Sequence, residues 1–315
     1  MRDILDTLER WAGEGRRAAL ATLVGVERSA PRAPGAALAV SDSGEVAGSV
    51  TGGCVEPAVY EEARQVLGGG PPRLVTYGIA DEQAFEVGLP CGGTVHIFVN
   101  LARRDVLEEL RAAVRKERPV ALETTVSGAQ IGEQRLVPVD GRFEAALEGE
   151  VFVLPFAPRP RMYVFGAVDH AAALARVGRL LGFRVTVCDA RARFVTEERF
   201  PDVDDLVVEW PDRFLAGAPV DERTAICVLT HDHKFDVPLL EVALGTNAGY
   251  IGAMGSRRTK AEREDRLEER GVSAETLARI RAPIGLDIGS RTPEEVAVAV
   301  GAEIVATFRK APAVA

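Results

Sequence analysis

The apolar positions along the chain follow two rhythms. In MRDILDTLERW, Ile4, Leu5, Leu8 and Trp11 recur at helical spacing and predict an amphipathic helix over residues 4–11. Residues 18–26 (AALATLVGV) and 36–40 (AALAV) are short, nearly unbroken apolar runs, the mark of buried strands. Between them lies ERSAPRAPG, a polar loop stiffened by two prolines. A turn at 43–46 leads to a short strand over 46–50 and then to TGGC, after which the pattern predicts a helix over 57–67, with Pro57 in its first turn. LVTYGI and TVHIFVNL read as strands, 105–116 as a helix, and short strands continue to Val153. The first half is therefore expected to be a mixed α/β domain.

Three prolines fall within LPFAPRPR, between two apolar strands, and predict a boundary: a first domain over 1–154, a linker over 155–161 and a second domain over 162–315. Beyond it strand and helix alternate, with strands at 162–165, 184–188, 205–209, 225–229 and 250–253 and helices at 169–181 and 237–244. Further helices follow. The last opens RTPEEV, with Thr292 as cap, Pro293 in the first turn and Glu295 completing a capping box. Such alternation requires crossovers, and crossovers place helices on both faces of a parallel sheet. The second half is expected to be a Rossmann-like, doubly wound sheet.

Composition narrows the function. The 315 residues are 47% hydrophobic and 27% charged, with no apolar run long enough to cross a bilayer. The acidic amino terminus lacks the layout of a secretory signal, so a cytoplasmic protein is expected. A formal net charge of -9 works against a general role on nucleic acid. The four cysteines form no paired short spacings, which argues against a zinc ribbon or a disulfide framework. Cys188 and Cys227 lie in apolar strands and read as core. Cys54 and Cys91 sit among glycines, in TGGCVE and LPCGG. Cys54 also stands at a helix start, where free amide groups stabilise a thiolate and Gly52 and Gly53 let another molecule approach the backbone. Glu56 works in the opposite direction.

In the second half the first turn reads GAVDHA. Gly166 is present, but Val168 replaces the glycine that lets a pyrophosphate touch the backbone, and this argues against NAD(P). Asp189 ends the second strand, where a ribose-binding acid belongs. The other strand ends supply Asp169, His170, Arg191, Arg193, THDHKFD and GAMGSRR. Gly255, Ser256, Arg257 and Arg258 precede a helix and suit a phosphate. His231 and His233 share one face if they stand on a strand, which with an aspartate would just suffice for a metal.

SAPRAPGA, GSVTGGCVE and GLPCGG, followed by LTHD, YIGAMGSRR and PIGLDIGSRTPEE, run in an order that resembles the XdhC/CoxI family from about Ala18 to Ala306. The resemblance implies a maturation factor for molybdenum hydroxylases such as xanthine dehydrogenase, carbon monoxide dehydrogenase and aldehyde oxidase. It implies a chaperone rather than a turnover enzyme, one that binds molybdenum cofactor with or without a nucleotide extension. It also implies cofactor sulfuration with a cysteine desulfurase and delivery to the hydroxylase apoenzyme, and a homodimer would help to shield the labile ligand. Carried onto this sequence, Arg32, Gly52, Gly53 and Cys54 contact the cofactor, with Cys54 as a molybdenum contact. Cys54, Cys91 and His231 are the chemically active side chains; Gly166, Asp189 and residues 255–258 hold a phosphate or ribose. The turn departs from the family's G-x-G-H, because GAVDH displaces the histidine and removes the second glycine. Two other readings remain open: a nucleotide-dependent oxidoreductase with a Cys54/Cys91 redox pair, and a metal hydrolase built on THDHKFD.

Overall fold

The computed structural model describes residues 1–78, 93–139 and 143–309 and divides into two compact units, Met1–Pro158 and Arg159–Ala315. The first contains α1 (Leu5–Gly13), β1 (Ala18–Glu27), β2 (Ala37–Ser41), β3 (Val46–Gly48), α2 (Glu56–Leu67), β4 (Arg73–Tyr77), β5 (Thr94–Leu101) and α3 (Arg104–Arg115). It continues through β6 (Val120–Thr125), β7 (Gln134–Pro138), β8 (Ala146–Glu148) and β9 (Val151–Phe156). Two antiparallel sheets result, ordered β3-β2-β1-β5-β4 and β7-β6-β9-β8.

From Ala18 to Val26 strand β1 reads as an apolar run broken only by Thr22, because both of its faces are covered. Ala19, Ala21 and Leu23 pack with Val55, Val59 and Val66 along α2. Ala18 and Leu20 instead join Leu5, Leu8 and Trp11 of α1 and Leu110 of α3, in a core that the second sheet completes with Val120, Leu122 and Phe156. Each fully buried Val, Leu or Phe side chain contributes roughly 1.5–3 kcal/mol. Of residues 155–161, expected to form a linker, Pro155 and Phe156 belong to β9 and Arg161 opens the next strand. Pro155 pairs with Ala121 past the end of β8, where β9 has no second neighbour to miss its amide hydrogen.

The second unit contains β10 (Arg161–Phe165), α4 (Asp169–Leu180), β11 (Arg184–Cys188), β12 (Asp205–Val207), α5 (Pro211–Gly217), β13 (Ala225–Val228) and α6 (His233–Leu244). It ends with β14 (Tyr250–Ala253), α7 (Arg257–Glu268), α8 (Ala274–Leu277), β15 (Ile280–Arg281) and α9 (Pro293–Phe308). All neighbours in its sheet are parallel, in the order β12-β11-β10-β13-β14-β15. This is the doubly wound order of a Rossmann fold, with the chain reversing direction across the sheet between β10 and β13. Leu174 of α4 and Val300 and Ile304 of α9 cover one face. Leu215 of α5, Leu239 and Leu240 of α6, and Leu267 of α7 cover the other. Cys188 and Cys227 are buried in these layers, and burial pushes the Cys188 thiol up to about 12.

Three elements differ from the pattern-based expectation. Helix α5 and the two-residue β15 are too short to show a period. Helix α6 begins at His233 rather than 237, because Asp232 caps it, its Oδ1 accepting from the Lys234 amide at 3.1 Å. Pro238 therefore lies inside the helix, where it removes one ladder bond, the one that would reach the carbonyl of exposed Lys234. Among the described residues no helix is long and apolar enough to cross a membrane.

Candidate functional site

Between β3 and α2 the chain winds around a single carboxylate. Glu56, the first residue of α2, turns back so that Oε1 accepts from the amides of Val50 (3.1 Å), Thr51 (2.9 Å) and Gly52 (3.0 Å). Its Oε2 accepts from the amides of Gly53 (2.8 Å) and Val55 (3.2 Å) and from Thr51 Oγ1 (2.8 Å), and the Ser49 hydroxyl donates to Oε1. Such a ring of main-chain donors is an anion-binding nest. Burial alone would raise the Glu56 pKa, but the Ser49 hydroxyl and the Thr51 amide and hydroxyl outweigh it and hold the carboxyl at about 2. The amides expected to serve the Cys54 thiolate are thus taken by Glu56, whose charge is tethered beside them. In the sequence Glu56 stands out only as an opposing charge; its place in the first turn, directly after GGCV, is the signal for this cap.

The winding needs Gly52 and Gly53 at φ of 90° and 121°. Among the described residues a Cβ on either would meet nothing within 4 Å. Gly52→Ala and Gly53→Ala should therefore each lose about 1–2 kcal/mol, from φ strain alone. Urea denaturation checks this; a loss above roughly 3 kcal/mol would mean a steric clash as well. Cys54 follows, half-buried against the α2 core. Arg32 Nη1 donates to the Ser49 carbonyl at 3.1 Å. The structure thus brings Arg32, from the connection between β1 and β2, against the loop that carries Gly52, Gly53 and Cys54, whereas Cys91 lies outside the described residues.

In the second unit Gly166 has a φ of 106°, and a Cβ there would stand 2.8 Å from Thr230 Cγ2, so only glycine lets the first turn lie against the loop after β13. A cleft of about 460 Å³ opens at this end of the sheet, lined by Val168, Arg191, Thr230, His231, Lys234 and Phe235 among others. Asp189 does not present itself for a ribose. It is 2% exposed, its Oδ2 accepts from the Ala167 amide (2.8 Å) and Arg191 Nη2 (2.7 Å), and its Oδ1 accepts from the Arg191 amide and Nε (both 2.9 Å). Burial would raise its pKa, yet Arg191 and the amides prevail and lower it.

His231 and His233 do not share a strand face, because β13 ends at Val228 and His233 already belongs to α6. Among the described residues no group of three His, Cys, Asp or Glu side chains gathers for a metal. Residues 255–258 are not among the residues lining the cleft. Ser256 caps α7 by accepting from the Thr259 amide at 3.2 Å, and Arg258, 88% exposed, pairs with Glu262 at 2.8 Å. A buried network ties the two loops instead: Asp236 accepts from the Thr230 hydroxyl and from Arg263 Nη2 (2.8 Å), and Arg263 Nη2 also donates to the Met254 carbonyl (3.0 Å). Arg263 lies in the polar run KAEREDRLEERG, and its burial four residues before Leu267 has no signature in composition.

A family model described as the XdhC Rossmann domain matches residues 162–304, and one described as the XdhC and CoxI family matches residues 11–78. A probable xanthine dehydrogenase subunit from Bacillus subtilis is 28% identical over 319 residues, covering 93% of this chain and 94% of that protein. A crystal structure of a xanthine dehydrogenase from Bacillus halodurans shares the fold, with a TM-score of 0.79 at 24% identity over 98% of this chain and 96% of that one. The molybdenum cofactor insertion chaperone PaoD of Escherichia coli is 30% identical over 303 residues, covering 95% of this chain and 87% of that protein. With likeness sustained over nearly its full length, and with the GGC loop and the Rossmann-like sheet both in place, the chain belongs to the XdhC and CoxI family.

Proposed function

We propose that the protein carries molybdenum cofactor as cargo, supports its sulfuration, and delivers it to a molybdenum hydroxylase of the xanthine dehydrogenase, carbon monoxide dehydrogenase or aldehyde oxidase type. Its partners are then the hydroxylase apoenzyme and a cysteine desulfurase. One observation carries the reading: among the described cysteines Cys54 alone is partly exposed, on a loop whose shape Glu56 fixes and whose two glycines have no described atom within 4 Å of the Cβ position. The donor set suits the cargo. A thiolate is a soft ligand that molybdenum accepts, bare glycine backbone admits a bulky ligand, and Arg32 brings a cation to the same loop. Likeness to PaoD supports the same assignment.

Molybdenum and pterin are to be measured in protein purified from cells that make the cofactor, wild type beside Cys54→Ala. The expected result is near-stoichiometric cofactor in the wild type and little in the variant. Equal loading of both would remove Cys54 from the site, and nicotinamide nucleotide in place of pterin would turn the assignment toward an oxidoreductase.

A further inference from the structure

We infer that the cleft at the β10/β13 switch point binds a phosphate monoester carried on a planar heterocycle, a nucleotide or a pterin phosphate, with Arg191 and Lys234 holding the phosphate. The ligand does not lie across the first turn as a dinucleotide would.

Three features move the anion away from the first turn. Val168 lines the cleft and covers the backbone that a pyrophosphate would need to reach. Asp169 opens α4 and puts a carboxylate in its first turn, paired with Arg199 at 3.3 Å. Asp189 has both oxygens engaged and is 2% exposed, so it cannot read the hydroxyls of a ribose. The same bonds serve Arg191. They hold its guanidinium through Nε and Nη2, its other support being the Phe194 ring at 4.7 Å, and they leave Nη1 without a bond among the described residues. A guanidinium held in this way loses little freedom on meeting a phosphate.

Together with Arg191, the loop into α6 brings exposed His231 and Lys234 to the cleft. Asp232 stands beside them, but its carboxylate is occupied by the Lys234 amide at 3.1 Å and the Lys234 ammonium at 3.0 Å. A phosphate therefore shares Lys234 with Asp232 and takes Arg191 and His231 directly. The cleft is larger than a phosphate requires. Its volume falls within the range of small-molecule sites, and Val168, Leu229 and Phe235 give it apolar walls that suit a heterocycle. Residues 255–258 are not needed for this site.

The inference rests on the carrier reading only for the identity of the natural ligand, because the test uses full-length protein free of molybdenum cofactor. Guanosine 5′-monophosphate, guanosine, inorganic phosphate and NAD are titrated calorimetrically into wild type, Arg191→Ala, Lys234→Ala and Arg258→Ala. Guanosine monophosphate should bind at least tenfold tighter than guanosine, inorganic phosphate or NAD. Arg191→Ala should weaken it at least tenfold and Lys234→Ala about threefold, with Arg258→Ala unchanged. Lys234 is exposed, so its truncation reads binding rather than folding. Equal affinity for guanosine, tighter binding of NAD, loss in Arg258→Ala alone, or no saturable binding of the monophosphate would each overturn the assignment. Absence of pterin from protein purified from cells that make the cofactor, together with guanosine monophosphate binding as described, would retire the carrier reading and leave this site standing.

Discussion

Asp236→Asn should destabilise the second unit by about 3–5 kcal/mol, the cost of leaving a buried guanidinium without its counter-charge. Both partners of the Asp236–Arg263 pair are out of water, at 0% and 2% exposure. Among the described residues Arg263 already has Nε and Nη1 buried without a partner, and a guanidinium cannot shed its proton to relieve the strain of burial. The reverse deletion differs. In Arg263→Met the orphan is a carboxylate, which can take up a proton. Burial holds the Asp236 pKa at about 6 even against the pull of Arg263, and without Arg263 it rises further. A raised carboxyl pKa means that the native state holds a proton the unfolded chain has released. In the wild type this contribution falls as the pH climbs from 3.8 through about 6; in Arg263→Met the fall continues above it. Urea denaturation of wild type and Arg263→Met at pH 5.5 and 8 checks the difference: a gap that widens with pH is expected, and a constant gap would show that Asp236 stays ionised. Because Thr230 and Met254 belong to the same network, either variant should also loosen both loops at the carboxyl edge of the sheet.

Glu56→Gln should lose about 2–4 kcal/mol from the first unit. Glutamine keeps the size but exchanges one acceptor oxygen for a donor, and that donor must then face amides or hydroxyls that are themselves donors. The pH dependence identifies the cause. Because the folded pKa of Glu56 is about 2, against 4.5 for an ordinary glutamate, its contribution is complete above pH 4.5 and is lost as the pH falls through about 2. Solvent screening at this partly exposed group limits that contribution to about 1–3 kcal/mol. The stability of wild type should therefore converge on that of Glu56→Gln between pH 4.5 and 2, and the Cys54 thiol should react faster with iodoacetamide in the variant at neutral pH. If the two proteins differ by the same amount at pH 7 and pH 2.5, the carboxylate charge is not what holds the loop.

Much of the fold is legible in the sequence because it rests on local rhythm. The runs at Ala19–Leu23 and Val185–Val187 are apolar except at the buried threonines Thr22 and Thr186, because both faces of each strand are covered, and strands of this kind alternate with helices in the second half. The Thr292 capping box is as predicted, both of its hydrogen bonds being present. The start of α6 is not legible in the same way: Pro238 suggests a first turn at 237, whereas the helix is opened four residues earlier by the Asp232 carboxylate. The grouping of Arg32 with the GGC loop follows the order of the motifs only in part; the contact itself spans 17 residues and depends on the antiparallel return through β2 and β3.

By itself the sequence determined the alternation of elements, the parallel character of the second sheet, the buried state of Cys188 and Cys227, and the likeness of its motifs to one family. These follow from periodicity and from short-range chemistry, which the order of residues records directly. The tertiary structure alone decided which charges are available. Glu56 fills the nest that a thiolate was expected to use, Arg191 closes over Asp189, and Arg263 is buried against Asp236. A charged residue is written the same way in sequence whether water or another charge satisfies it, and the energy that separates the two cases depends on distance and burial, which only the folded chain sets.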